Sequence, residues 1–271
     1  MGRRARWLAT PYAIWMALFT IIPLIIIVYY ALTDNNGVFT FSNVVQLFEF
    51  NKMRVFWNSL WQSAITTVVC LIIGYPVAYC ISRMGARSQS IMITLLMIPM
   101  SMSFLLRTMS LVALLEYNGP FYRMFMSLGI ENVKLIGTPV AVIIGMVYNY
   151  LPYMILPLYT VMVKIEKPIL EAAGDLGAGK FNVFSRVILP LSKPGIISGV
   201  TMVFVPAVST FYIAEKLGGT DWMIGDLIEQ YFKVAPDFHF GAALSLLLML
   251  IVLISIGVMS KTGNRETAVV A

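Results

Sequence analysis

A chain of 271 residues that is 59% hydrophobic and only 12% charged does not have the make-up of a soluble domain, where about a quarter of residues carry charge. The apolar excess argues for a single membrane-embedded domain over residues 1–271. With one histidine and two cysteines, neither a disulfide framework nor a metal or cofactor site is indicated, and no nucleic-acid partner is expected.

A bilayer core about 30 Å thick takes roughly 20 apolar residues per helix, and six stretches reach that length. The first, Pro11–Leu32, follows Arg3, Arg4 and Arg6. It is too long for a signal-peptide core and no small-x-small cleavage site closes it, so it reads as an uncleaved span with a basic anchor. The second, Trp57–Ile81, holds Cys70 and Cys80 as small packing residues. The third, Ile91–Leu115, carries Arg107, the one charge inside a span. From its depth Arg107 can snorkel to the outer headgroups, or act as a gate or structural charge.

An outer loop then places Phe121, Phe125 and Leu128 at helical spacing within Pro120–Leu128, which predicts a short amphipathic helix at the interface. The fourth span, Pro139–Val163, brings Tyr148 and Asn149 close to the bilayer midplane. Intramembrane polar residues point to a transport path; an interhelical hydrogen bond is the alternative for Asn149, and packing or an interfacial belt for the aromatic residues.

The connection over 164–194 is the longest on its side and is not a structureless linker. Pro168 suits the first turn of a helix. Ile169, Ala172, Ala173 and Leu176 share a face, Glu171 and Asp175 sit four apart on a neighbouring one, and Gly177 and Gly179 end the helix. An apolar stripe outside the bilayer needs a partner, and a groove in a soluble protein would serve. Gly174–Lys180 formally matches GxxxxGK, but Phe181 stands where a phosphate loop needs a hydroxyl, and no strand precedes it. An amphipathic stretch, Phe181–Ile188, leads to Pro190 and Pro194, which introduce the fifth span.

That span, Gly195–Ala214, opens on Gly195 and Gly199, a spacing that permits close helix packing. Pro206 lies near the midplane, and with Ser209, Phe211 and Tyr212 it is a candidate lining of the path. Glu215 sits at the outer boundary and Asp226 in the loop beyond it. Carboxylates there suit a mouth that favours cations, the alternative being loops that merely lack Lys and Arg. The sixth span is Phe240–Ser260, and His239 at its entry suggests no catalysis.

With six spans the loops alternate sides. One side holds 12 Lys and Arg and the other 6, while the acidic residues divide 4 and 9. The positive-inside rule therefore makes both termini and the 164–194 loop cytoplasmic, in a multi-pass protein of the cell (inner) membrane.

The loop reads Glu171-Ala172-Ala173, three residues, Gly177, nine residues, Val187, one residue, then Leu189-Pro190. This resembles the EAA motif of binding-protein-dependent ABC importer permeases, with Val187 where Ile is usual. The resemblance implies an all-α, six-span type I importer fold and a coupling helix carrying Glu171, Ala172, Ala173, Gly177, Leu189 and Pro190. It implies as partners two ATP-binding subunits, a second permease subunit, an external solute-binding protein and membrane lipid. The segments Gly145–Tyr148, Leu151-Pro152, Pro157–Tyr159, Leu170–Ala173 with Asp175–Ala178, Leu106-Arg107 and Pro206–Gly219 are similar to spermidine/putrescine permease subunits. They imply a polyamine as solute, with another small organic or metal solute as the alternative. A membrane enzyme would need a constellation of His, Asp or Ser at the membrane edge, and a secondary transporter would not need the EAA loop.

Overall fold

The computed structural model describes residues 10–12, 14–34, 36–129, 135–219, 222–234 and 237–270, with side chains to 261. Arg3, Arg4, Arg6, Glu131, Lys134 and Asp221, used above in the charge pattern, lie outside the described residues, as do the side chains of Arg265 and Glu266.

Twelve helices follow one another among the described residues. They are α1 Thr10–Ala31, α2 Ser42–Gln46, α3 Phe50–Arg83, α4 Ala86–Ser101, α5 Phe104–Leu115 and α6 Pro120–Ser127. Then come α7 Pro139–Met162, α8 Lys167–Asp175, α9 Lys180–Val208, α10 Tyr212–Leu217, α11 Ile224–Lys233 and α12 Phe238–Val270. An isolated antiparallel bridge joins Thr33 to Phe39.

Five helices are long and apolar enough to cross a bilayer alone: α1, α3, α7, α9 and α12. The expected third span is present but broken: α4 and the chain from Phe104 to Ser127 together are long and apolar enough to make the sixth. α4 and the chain from Phe104 to Ser127 meet at an angle of 91°, because Met102 and Ser103 are extended. Pro99 lacks an N–H in the last turn of α4, and the Ser101 hydroxyl donates back to the Met97 carbonyl at 3.1 Å. Both weaken the ladder where it stops.

The fifth span also differs from expectation. Pro190 and Pro194 do not introduce it; they lie inside one helix that runs from Lys180 and ends at Val208, short of Ala214. A π-turn over Phe184–Ile188 makes the continuity possible. The Leu189 amide donates to the Phe184 carbonyl, and this wider turn eases the ring of Pro190 past the carbonyl it would otherwise crowd.

The core is built on α7, with α3 and α9 packed on it. Cys70, Met146, Met154, Leu158 and Val203 are buried there, while Cys80 is exposed. Two glycines of α9 set its approach: a methyl group added at Gly199 would stand 2.7 Å from the Met154 sulfur, and one at Gly195 3.0 Å from the Pro157 carbonyl. α1 packs against α12 in a smaller cluster around Ala31, Leu47 and Phe240. His239 closes that junction with Nδ1 at 3.0 Å from the Tyr30 carbonyl. The amphipathic helix expected over Pro120–Leu128 is α6, ending at Ser127.

Candidate functional site

Two regions collect the residues that the sequence singles out. The first is the loop around α8. Pro168 sits in its first turn, and Gly177 closes it at φ 81°. The Gly177 amide donates to the Gly174 carbonyl at 2.9 Å and the Ala178 amide to the Ala173 carbonyl at 3.1 Å. This paired closure requires a left-handed residue, and glycine adopts that conformation without steric cost. Glu171 and Ala172 are exposed, and Ala173 is half-buried. Ile169 is 45% exposed, Leu176 89% and Phe181 79%, so an apolar surface stands uncovered beside Glu171. Leu189 packs onto the core, and Pro190 follows the π-turn on an exposed face. The Arg83 guanidinium donates to the Ile165 carbonyl at 2.9 Å and ties the base of the loop to the end of α3.

The second region is the pair α10 and α11. Ser209 leaves the helical ladder, its hydroxyl donating to the carbonyls of Val205 and Pro206. The turn lets Gly225 press on the Thr210 carbonyl, where a Cβ would come within 2.4 Å. Between α10 and α11 lies a cavity of about 440 Å³ lined by Glu215, Trp222, Asp226, Glu229, Gln230 and Lys233 among others. Asp226 is only 8% exposed. Its Oδ2 accepts the Met223 amide at 2.8 Å and caps α11; its Oδ1 is closed off from solvent. Burial pushes the Asp226 carboxyl up to about 7, the backbone amides of Met223 and Glu215 pull it down, and the Glu215 and Glu229 charges push it further up. Glu215 is paired with Lys216 and Glu229 with Lys233 one turn along.

The other path candidates are not brought into this cavity. Ser209 and Phe211 line a neighbouring, more open groove of about 550 Å³ between α9, α11 and α12. Tyr212 lies under the Lys216 ammonium, 5.5 Å from its ring centre. The Pro206 carbonyl accepts the Tyr150 hydroxyl at 3.3 Å. Tyr148 is 46% exposed on α7. Asn149, one residue on, is fully buried and donates to Thr108 Oγ1 at 3.4 Å and to the Gly145 carbonyl at 3.0 Å. Arg107 is 4% exposed, so in this chain it is buried rather than snorkelled, and its Nε and Nη1 have no partner among the described residues.

Trp222, Glu229 and Gln230 enter the site without having been singled out. A signal was present: Asp226, Glu229, Gln230 and Lys233 recur at intervals of three and four, the face of one helix.

Comparison with known proteins places this architecture. The family described as "Binding-protein-dependent transport system inner membrane component" matches residues 70–261. The chain is similar to the spermidine/putrescine transport system permease protein PotB of Haemophilus influenzae, 37% identical over 241 residues, covering 86% of this chain and 84% of that one. Its similarity to the Escherichia coli protein of the same name is also 37%, over 246 residues, covering 88% and 90%. Among solved structures, a chain of a bacterial alginate ABC transporter in complex with an alginate-bound periplasmic protein superposes with a TM-score of 0.77. It is 17% identical, with 97% of this chain and 94% of that chain covered, a likeness of fold.

Proposed function

The chain belongs to the family of binding-protein-dependent transport system inner membrane components, and from that premise we propose that it forms half of the transmembrane path of an ATP-driven polyamine importer. The observation that carries the importer reading is α8: an exposed helix with Glu171 on its surface, an uncovered apolar stripe and a Gly177 closure. A soluble ATP-binding subunit supplies the groove it needs. The complex contains two such subunits, a second permease chain beside this one, and a solute-binding protein on the outer face. ATP hydrolysis takes place in the ATP-binding subunits. Their closure moves α8, and the connections through Arg83 and the π-turn carry that movement into α3 and α9.

Spermidine or putrescine as solute is supported by the two relatives named for that transport. It is supported too by carboxylates where the path would open. In this reading both termini are cytoplasmic and α10 and α11 face outward. Glu215 and Asp226 receive the cation; Phe211, Tyr212, Ser209 and Pro206 stand beside and below them; Tyr148 on its exposed face and the buried Asn149 lie deeper. Arg107 is a structural or gating charge, ill suited to touch a cation itself. The test is ATP-dependent uptake by the reconstituted importer across polyamines, amino acids and divalent metals. Accumulation of spermidine or putrescine in preference to the rest is expected; accumulation of only amino acids or metals sinks the substrate assignment and leaves the permease assignment standing.

A further inference from the structure

One face of α3 holds both legs of the 164–194 loop. Tyr75, Tyr79 and Arg83 follow at intervals of four along that helix. Arg83 donates to the Ile165 carbonyl, where the loop begins, and its guanidinium lies 5.3 Å from the centre of the Tyr79 ring. Tyr75 takes the other leg, where the chain returns as α9. Its ring meets the Phe184 ring edge-on, with 5.7 Å between centres, and its hydroxyl lies 2.9 Å from the Ser192 hydroxyl. Ser192 gives its own proton to the Leu189 carbonyl at 3.0 Å, so Tyr75 is the donor. Tyr75 and Ser192 are both buried.

The two partners of Tyr75 bracket the weakest stretch of α9. Phe184 opens the π-turn, and Ser192 lies one helical turn beyond its end. The Leu189 amide is committed to the Phe184 carbonyl, and Pro190 has no N–H to give, so the ladder is short of donors there. A helix left to itself bends at such a point. α3 has a weak point of its own beside these contacts, because Pro76 supplies no N–H to the Ile72 carbonyl. Just before it Gly74 seats α3 on α7, where an added Cβ would stand 3.1 Å from the Met154 side chain.

We propose that Tyr75 is the positioning residue for coupling: it clamps the π-turn at both ends, so that a push on α8 moves α9 against α3 as one rod instead of being lost in bending at the turn. The inference rests on the importer reading and adds the side chain through which the movement passes. The ring fixes the near end of the turn and the hydroxyl the far end, eight residues apart on one face of α9. Tyr75→Phe keeps the ring on Phe184 and removes only the bond to Ser192.

The experiment uses the complete importer in proteoliposomes and reads spermidine accumulated per ATP hydrolysed, with the solute-binding protein present. Tyr75→Phe and Ser192→Ala should each lower that ratio about fivefold, the size of one hydrogen bond, while ATP hydrolysis stays within about twofold of native. The double variant should fall no further, since both changes remove the same bond. If Tyr75→Phe does not assemble, Ser192→Ala carries the test. A merely structural hydroxyl lowers the melting temperature and leaves the ratio alone; an unchanged ratio in the variant that assembles, or multiplied losses in the double variant, overturns the clamp. A second readout needs no solute. Spin labels on Asn182→Cys and Met202→Cys, both exposed positions of α9 on either side of the turn, are placed in a Cys70→Ala/Cys80→Ala background. Their separation should be the same with and without ATP in the native clamp and should change on ATP binding in Tyr75→Phe; equal behaviour of the two proteins overturns the inference. A native importer that hydrolyses ATP without accumulating spermidine removes the polyamine reading alone, and the spin-label distances then decide the clamp.

Discussion

The Ser59 hydroxyl of α3 accepts the Ile224 amide at 2.7 Å and donates to the Val55 carbonyl at 2.9 Å, fixing the first turn of α11 to the membrane core two residues before Asp226. Both partners are buried. Ser59→Ala leaves the Ile224 N–H without an acceptor, a loss of about 1–3 kcal/mol. The purified complex should melt several degrees lower, and spermidine uptake should fall with assembly intact. An unchanged melting temperature refutes this anchoring role.

Coupling is tested at Glu171. The side chain is exposed on α8, so a change there does not disturb the core. Glu171→Arg should abolish uptake and loosen the dependence of ATP hydrolysis on the solute-binding protein, while membrane insertion stays normal. Gly174, on the same helix, has nothing within 4 Å of an added Cβ, and Gly174→Ala should preserve uptake. Uptake at the native level in Glu171→Arg removes α8 from the coupling role.

Helix packing makes a sharper contrast. An added methyl at Gly199 would lie 2.7 Å from the sulfur of Met154, which is itself fully buried. Gly199→Ala should therefore destabilise the complex by about 1–3 kcal/mol, the usual size for overpacking, as read by thermal unfolding in detergent. A melting temperature equal to that of the native protein would show that α7 and α9 are held further apart.

Much of this architecture is legible in the sequence, and the failures have physical causes. Hydropathy alone locates α1, α3, α7 and α12 because each is a long apolar run. It cannot register the bend at Met102-Ser103, since methionine and serine barely lower the average while the backbone turns by 91°. Prolines mislead in the opposite direction: Pro190 and Pro194 look like a boundary, yet a π-turn absorbs the first and the helix continues. The helix of the 164–194 loop is readable because Pro168 at its start and Gly177 at its end follow from backbone geometry within a few residues; its coupling role rests on the resemblance of its spacing. The acidic cavity is only half readable. Glu215 and Asp226 stand out as carboxylates near an outer mouth, but their sharing one space depends on the turn at Ser209–Phe211, and Trp222 has no local signal.

Acidity offers a further prediction. The charged groups nearest Asp226 are Glu215 with Lys216 on α10 and Glu229 with Lys233 on α11; α3 brings the Ser59 hydroxyl to the Ile224 amide, and Lys52 to a pocket it shares with Ile224 and Leu227. With its carboxyl raised to about 7, Asp226 is mostly protonated at pH 6 and mostly ionised at pH 8. If Asp226 receives the cation, spermidine uptake should weaken as pH falls through that range, and Asp226→Asn should flatten the dependence. The folded state also binds the extra proton between the ordinary carboxylate range and about 7. This group therefore lowers stability as pH rises through that interval. A slope that persists in Asp226→Asn assigns the titration elsewhere.

On the proposed function, this chain conducts polyamine only when ATP-binding subunits act on α8. Radiolabelled spermidine accumulation is measured in proteoliposomes containing both permease chains and the solute-binding protein, with and without the ATP-binding subunits. Accumulation against the gradient that requires those subunits and ATP, and that is lost in Glu171→Arg, is expected. Accumulation that persists without the subunits and collapses on adding a protonophore would contradict it and make the chain a secondary transporter.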